Sequence, residues 1–336
     1  MANHESTMAP VRERSPFIEV SGLTKQFGEV TAVDHISFEV HRGEIFGFLG
    51  PNGAGKTTTI NLLTGLAKPD SGTIRIGGVE CTRNLKAAQH LIGVVPDESN
   101  LYPELSGFDN LCFCAALYGM RKNERRMRAQ ELLKTFDLAD AGHRKFAGYS
   151  KGMKRKLAIA AGIIHSPQIL FLDEPTTGID VASARHIRQL MGDLHRAGMT
   201  IFLTTHYIEE AERLCQRIAF IVRGRIVLID AVATLLQPVQ QRHVMLVSIL
   251  NSDSLLCGKL ASAFPDLEFR SIADGQVRVE SAKPISVSPL VRFLEDQGAE
   301  VTEARRLHPS LEDVFVRVTG MGADSMRKEK ERGGGA

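Results

Sequence analysis

Gly50-Pro51-Asn52-Gly53-Ala54-Gly55-Lys56-Thr57 follows the pattern G-x-x-x-x-G-K-[ST]. Its glycines let successive backbone N–H groups turn inward around a triphosphate. Lys56 can reach the β- and γ-phosphates, and the Thr57 hydroxyl can ligate Mg²⁺. Gly50, Pro51, Asn52, Gly53, Ala54, Gly55, Lys56, Thr57 and the adjoining Thr58 are therefore candidate nucleotide contacts. The surroundings fit. Glu44 to Leu49 reads as a short buried strand, and Thr57 to Leu66 as a helix with apolar Ile60, Leu62, Leu63 and Leu66. Strand, Gly-rich loop and helix together aim a helix N-terminus at an anion. A plain Gly-rich turn is the competing reading, but the pattern arises by chance only about once in a hundred chains of this length.

The chain has 336 residues, 43% hydrophobic and 24% charged, enough for a large core and two domains. Net charge is +2, so no global field favours nucleic acid, and none is expected as a partner. Cys81, Cys112, Cys114, Cys215 and Cys257 are scattered without zinc spacing, and reduced thiols are expected. No apolar run approaches the roughly 18–20 residues that span a bilayer. The longest, Leu157 to Ile164, is interrupted by Gly162. The polar stretch 1–15 carries Glu5, Arg12, Glu13 and Arg14 and does not read as a secretory signal. It and the charged, Gly-rich stretch 321–336 are expected to be disordered tails. Any membrane role would come through a partner.

Outward from the loop, Phe17 to Val20, Ala32 to Val40 and Thr73 to Ile76 read as strands, with Gly77-Gly78 as a turn. Residues 105–165 read as helices, with Leu111, Ala115 and Tyr118, and then Leu132, Leu133 and Phe136, at helical spacing. Gln168 to Asp173 and Thr200 to Thr204 are continuous apolar strands of the kind buried in a parallel sheet. Arg217 to Asp230 reads as a hairpin turning at Arg223-Gly224. After a linker around Pro238 and Gln240-Gln241-Arg242, the order changes. Strand Val244–Leu250, helix Asp253–Phe264, strands Glu268–Ile272 and Gln276–Glu280, helix Ser288–Gln297 and strand Glu300–Arg306 follow. This β-α-β-β-α-β order suggests a small ferredoxin-like domain.

Asp173 ends an apolar strand beside the phosphate loop, where a carboxylate can hold Mg²⁺. Glu174 comes next and points the other way, placed to polarise a water for attack on the γ-phosphate. At this point the chain resembles an ABC ATPase, the nucleotide-binding subunit of ABC transporters, over roughly residues 17–235. Phe27 resembles the aromatic that stacks on adenine, and Tyr149-Ser150-Lys151-Gly152-Met153 the signature motif. Ile169 to Glu174 resembles the Walker B strand with its catalytic glutamate, Thr177 to Asp180 the D-loop, and His206 the switch histidine. Their joint order is far more specific than any one motif. The resemblance implies ATP and Mg²⁺ as cofactors, with Glu174 and His206 catalytic and Thr57, Asp173 and Asp97 at the metal. It also implies that Ser150 and Gly152 contact ATP held on a second ATPase subunit, most simply an identical chain. Lys154, Arg155 and Lys156 add positive charge near the signature or form a solvated helix face; the residues leave both open.

The expected fold is α/β: a P-loop NTPase of the ABC ATPase type over 16–238, with a mostly parallel core sheet, N-terminal antiparallel strands and a helical subdomain near 97–165. A small α+β accessory domain over 242–320 follows. Two departures from the family stand out. Asp97 follows Pro96 where the family usually has Gln, and Tyr149, Lys151 and Met153 replace the usual signature residues. Asp97 is expected to reach Mg²⁺ as a stronger ligand than an amide. The resemblance implies an ATP-hydrolysing subunit that powers export through a separate polytopic membrane permease, bound peripherally at the cytoplasmic face of the membrane. The segment 309–320 resembles the accessory domain of drug and polysaccharide exporters. An importer ATPase, a soluble ABC ATPase and a non-hydrolysing regulator are the alternatives. The absence of a second phosphate loop and the intact Lys56, Asp173, Glu174 and His206 weigh against the last two.

Overall fold

A strand that is apolar at every position must be covered on both faces, and the centre of this protein is built from such strands. The computed structural model describes residues 16–82, 85–240, 243–250, 256–273, 275–307 and 310–321. The expected tails over 1–15 and nearly all of 321–336, linker residues Gln241 and Arg242, the helix start at Asp253, and Pro309 lie outside the described residues. The chain divides into two units, one running to Ile229 and one beginning at Asp230.

The first unit opens with strands β1 (Pro16–Phe27), β2 (Val30–His41) and β3 (Ile45–Leu49), then helix α1 (Lys56–Thr64). Strands β4 (Ser71–Ile76), β5 (Val79–Glu80) and β6 (Ile92–Val95) lead into helices α2 (Gly107–Leu117), α3 (Lys122–Thr135) and α4 (Lys151–Gly162). Next come β7 (Ile169–Asp173), α5 (Val181–Arg196), β8 (Thr200–Thr205), α6 (Ile208–Leu214), β9 (Arg217–Val222) and β10 (Arg225–Ala231). Antiparallel strands in the order β2-β1-β4-β5 form one sheet; the order β10-β9-β3-β8-β7-β6 forms the other. In the second sheet β3 runs parallel to β8 and β9, and β7 runs parallel to β6 and β8. The α/β P-loop fold read from the sequence is therefore the fold observed.

Aromatic side chains fill the space between these sheets. Phe46 and Phe48 alternate onto one face of β3, where Phe46 pairs in register with Phe202 and Phe202 with Phe171. Phe38 of β2 closes the cluster, with ring centroids 5.4–6.0 Å apart. Burying each ring contributes about 2–3 kcal/mol from apolar area alone. The helices begin at side-chain caps: Ser106 accepts from Asp109 N, Ser150 from Met153 N and Asp180 from Ser183 N. Tyr118, at helical spacing with Leu111 and Ala115, does not share their burial. It caps the C-terminus of α2, is 44% exposed and stacks on His165. Among the described residues no helix is long and apolar enough to cross a membrane.

The second unit holds helix α7 (Val232–Gln240), strand β11 (His243–Leu250), helix α8 (Leu256–Ala263), strands β12 (Glu268–Ala273) and β13 (Gln276–Ser281), helix α9 (Val287–Asp296), strand β14 (Glu300–Leu307) and helix α10 (Leu311–Thr319). Its antiparallel sheet runs β12-β13-β11-β14, the strand order of a ferredoxin-like sheet. Met245, Val247, Ile249, Val277 and Val279 face Leu260 of α8 and Leu290 and Leu294 of α9. The opposite face carries Leu246, in register with Arg278, and Arg278 reaches Asp313 of α10 at 2.8 Å. Helix α10 therefore covers the face that α8 and α9 leave. One feature differs from the sequence reading. Residues expected to be linker around Pro238 lie in α7, because Val232 and Leu235 recur at helical spacing and are buried.

Helix α4 sits hard against β6. A Cβ on Gly93 would lie 2.2 Å from the Gly162 carbonyl oxygen, a backbone atom that cannot yield. Gly93→Ala should therefore destabilise the first unit by about 1–3 kcal/mol. Gly192→Ala, within α5 and facing only the flexible end of Arg196, should instead stabilise by up to about 1 kcal/mol. Urea midpoints of the two variants against wild type measure both; equal shifts would contradict the packing described.

Candidate nucleotide-binding site

Strand β3 is buried throughout and delivers the loop Gly50 to Gly55 at its C-terminal end. Only glycine fits two of these positions. A Cβ on Gly50 would lie 2.2 Å from Ile221 O, and one on Gly55, at φ +104°, 2.3 Å from Ala32 O. The loop leads directly into α1, whose N-terminus has no side-chain cap. Its first backbone N–H groups, with the helix dipole behind them, suit an anion. Asn52, Gly53, Gly55, Lys56, Thr57 and Thr58 line a cleft of about 460 Å³ at this point. Gly50, Pro51 and Ala54 lie beneath it: Lys56 Nζ donates to Gly50 O at 2.8 Å and Pro51 O at 3.2 Å, and Ala54 N donates to Pro51 O.

The opposite wall comes from the ends of β7 and β8. Asp173 is 3% exposed and accepts from the hydroxyls of Thr204 and Thr57. Burial raises its carboxyl above the ordinary value, and those two bonds oppose the rise. Glu174 turns away through a left-handed backbone at φ +48°. Its Oε2 accepts from His206 Nδ1 at 2.8 Å and from Thr177 Oγ1 at 3.1 Å, and Oε1 lies 3.2 Å from Lys56 Nζ. An ionised carboxylate only accepts, so Nδ1 is the protonated ring nitrogen here. Burial alone would raise the Glu174 carboxyl, but the His206 hydrogen bond and the Lys56 ammonium hold it below its ordinary value.

Asp97, from the loop after β6, lines the same cleft, as do Thr177 of the D-loop segment and two residues that the motif reading did not single out, Thr31 and Arg223. The cation at Arg223 could have been found only from the β9–β10 turn, which carries no phosphate motif of its own. Phe27 is 54% exposed at the end of β1 and is not among the lining residues, whereas its cross-strand partner Val30 is. Ser150 and Gly152 also lie away from this cleft. Ser150 is exposed at the cap of α4, and Gly152 lets the helix start approach Ser183, whose Oγ would sit 2.4 Å from an added Cβ. Of the basic triplet, Lys154 lies over the Phe146 ring and Lys156 reaches Asp137, while Arg155 is buried rather than part of a solvated face.

The donors suit a hard divalent cation. Thr57 and Asp173 are already joined, and Asp97 lines the cleft beside Thr57, so all three offer oxygen. Among the described residues no cluster of three or more His, Cys, Asp or Glu groups could hold a metal. Mg²⁺ commonly binds through one or two carboxylates plus substrate phosphates, and this set fits that habit.

Comparison with known proteins agrees with this geometry. The ABC transporter family profile matches residues 33–177. The daunorubicin resistance ATP-binding protein DrrA3 of Streptomyces coeruleorubidus is 34% identical over 308 residues, 90% of this chain and 96% of that protein. The Nod factor export ATP-binding protein I of Paraburkholderia xenovorans is 36% identical, covering 90% of this chain and 97% of that one. A solved ATP binding subunit of an ABC transporter superimposes with a TM-score of 0.60 at 29% identity, over 66% of this chain and 93% of that one. A dimeric ATP-binding cassette in a post-hydrolysis state, bound to ADP and Pi, gives 0.59 at 28% identity, over 64% of this chain and 98% of that one. With near full-length similarity to its relatives and the phosphate loop, Asp173, Glu174 and His206 gathered at one sheet edge, the chain belongs to the ABC transporter family, among its ATP-binding subunits.

Proposed function

We propose that this chain hydrolyses ATP to power export through a separate polytopic membrane permease, working as a peripheral subunit at the cytoplasmic face of the membrane. One observation carries the hydrolytic reading: the Glu174 carboxylate is clamped among Lys56, Thr177 and His206 beside the phosphate loop. Held below its ordinary pKa, it is anionic at neutral pH and ready to take a hydrogen bond, and then a proton, from an attacking water. Lys56 and the N–H groups at the start of α1 hold the β- and γ-phosphates. His206 keeps Glu174 aimed. Thr57, Asp173 and Asp97 would hold Mg²⁺, which supplies charge neutralisation at the phosphates when bound. Export is supported by the relatives, which are named for drug resistance and Nod factor export.

The site is half of a composite one in this reading. Ser150 stands exposed at the cap of α4 and Gly152 lies buried beside it against Ser183, both outside the chain's own cleft, as the resemblance implies for residues that serve a second subunit. Two copies would sandwich two ATPs, each phosphate loop facing the other copy's Ser150. Phe27, exposed at the cleft's edge, would stack on adenine.

Glu174→Gln should lower ATP turnover by at least about a hundredfold while leaving ATP binding nearly intact. Phosphate release with membranes present, alongside a binding titration, measures both; an equally inert wild type sinks the ATPase reading. Lys56→Ala and Ser150→Ala chains should each be inactive, yet recover about a quarter of wild-type activity when mixed, since random pairing makes half the dimers mixed with one intact site each. No recovery excludes a site shared between copies. Asp97→Gln should weaken apparent Mg²⁺ affinity by about two- to tenfold in a titration of ATPase rate; an unchanged curve removes Asp97 from the metal.

A further inference from the structure

Arg155 lies on α4 with only 8% of its surface exposed. Its Nη1 donates to Pro96 O at 2.7 Å and its Nη2 to Asp97 O at 2.7 Å. Asp97 Oδ1 and Glu174 O lie 3.4 and 3.5 Å from the same Nη2. One planar fork thus spans the chain ends that leave β6 and β7. A lysine ammonium cannot reproduce that reach. The base of the fork is fixed too, because α4 presses on β6 where Gly93 and Gly162 allow close approach. Burial works against the Arg155 charge, and Asp97 is the first group that offsets it, ahead of Asp173 and Glu174.

The departure at Asp97 then acquires a partner. A carboxylate added beside Asp173, Glu174 and a triphosphate would crowd negative charge, and the Arg155 guanidinium sits among all three. We infer that Arg155 is a positioning residue that ties the Pro96–Asp97 loop to the main chain of Glu174, with Asp97 and Arg155 acting as a matched pair. A displacement of the loop then moves the carbonyl, and hence the aim, of Glu174. The inference rests on the reading of Glu174 as the group that polarises water.

The test is a double-mutant cycle on the full chain, using Arg155→Met, Asp97→Asn and both together. It reads kcat, KM for ATP, the Kd of a fluorescent ATP analogue and the melting temperature. Arg155→Met should lower kcat about tenfold or more with the analogue Kd within about threefold of wild type. In the Asp97→Asn background the same change should cost at least about threefold less, because the pair no longer exists to be broken. Arg155→Lys keeps the charge without the fork and should fall between wild type and Arg155→Met. If Arg155→Met fails to fold, Arg155→Lys decides: a kcat lowered about threefold or more at unchanged Kd supports the inference, and a wild-type kcat overturns it. Strict additivity in the cycle, or a lower kcat and melting temperature together with a raised Kd, would also overturn it. Glu174→Gln run in parallel separates the two claims. If that variant is dead while Arg155→Met and Arg155→Lys match wild type, only the positioning role fails; if Glu174→Gln matches wild type, the hydrolytic reading fails first.

Discussion

Everything at this site depends on the parallel register of three strands. Leu49 of β3 lies opposite Thr205 of β8, and Thr204 lies opposite Asp173 of β7. The three strands therefore end within one residue of each other. The residues just past their ends, Gly50, Glu174 and His206, arrive at one edge, and a left-handed turn at Glu174 completes the aim of its carboxylate. A slip of one residue would flip Asp173 and Glu174 to opposite faces and separate His206 from its partner. The phenylalanines favour that register. Phe46, Phe171 and Phe202 form a row across the strands and pack ring to ring in this register, contacts that a shifted pairing would break. The chemistry of the loop rests on aromatic packing some way beneath it.

The site also concentrates charge where water is scarce. Lys56, Arg155, Asp173 and Glu174 are 6%, 8%, 3% and 8% exposed. Burying any one of them alone would cost several kcal/mol. Together they form an alternating set: Glu174 is shared by Lys56 and His206, Asp173 by two threonine hydroxyls, and Arg155 by two carbonyls and Asp97. Such an arrangement is stable only while every member is present. In the proposed reading it is also responsive, because an arriving triphosphate would compete for Lys56 and free Glu174 from one of its holds.

Most of this was legible in the sequence, for identifiable reasons. The phosphate loop, the two apolar strands with their terminal acids and His206 are short, contiguous signals whose meaning does not depend on distant contacts. The ferredoxin-like order of the second unit was readable because each of its elements has a clean period. Helices α7 and α10 were harder. Val232 and Leu235 give α7 its apolar face, but Pro238 and the glutamines after it read as a linker. The Ser310–Asp313 capping box of α10 lies within the segment 309–320, whose meaning in the sequence comes only from its resemblance to the exporters' accessory domain. Arg155 was ambiguous in principle. A basic residue between two others looks solvated unless one knows that Pro96 and Asp97 lie across from it, and no local pattern carries that. The same holds for Arg223, which reaches the cleft only because β9 lies beside β3.

The left-handed backbone at Glu174 has a further consequence. A non-glycine residue at φ +48° costs on the order of 1–2 kcal/mol relative to glycine there. The turn that swings the carboxylate toward Lys56 and His206 is thus held against the local preference of the chain. Selection for heat resistance alone, blind to turnover, would find relief at this position by giving up the acid. Any effort to harden this protein by directed evolution would need a functional counter-screen, and this one residue would be the first place to see it needed.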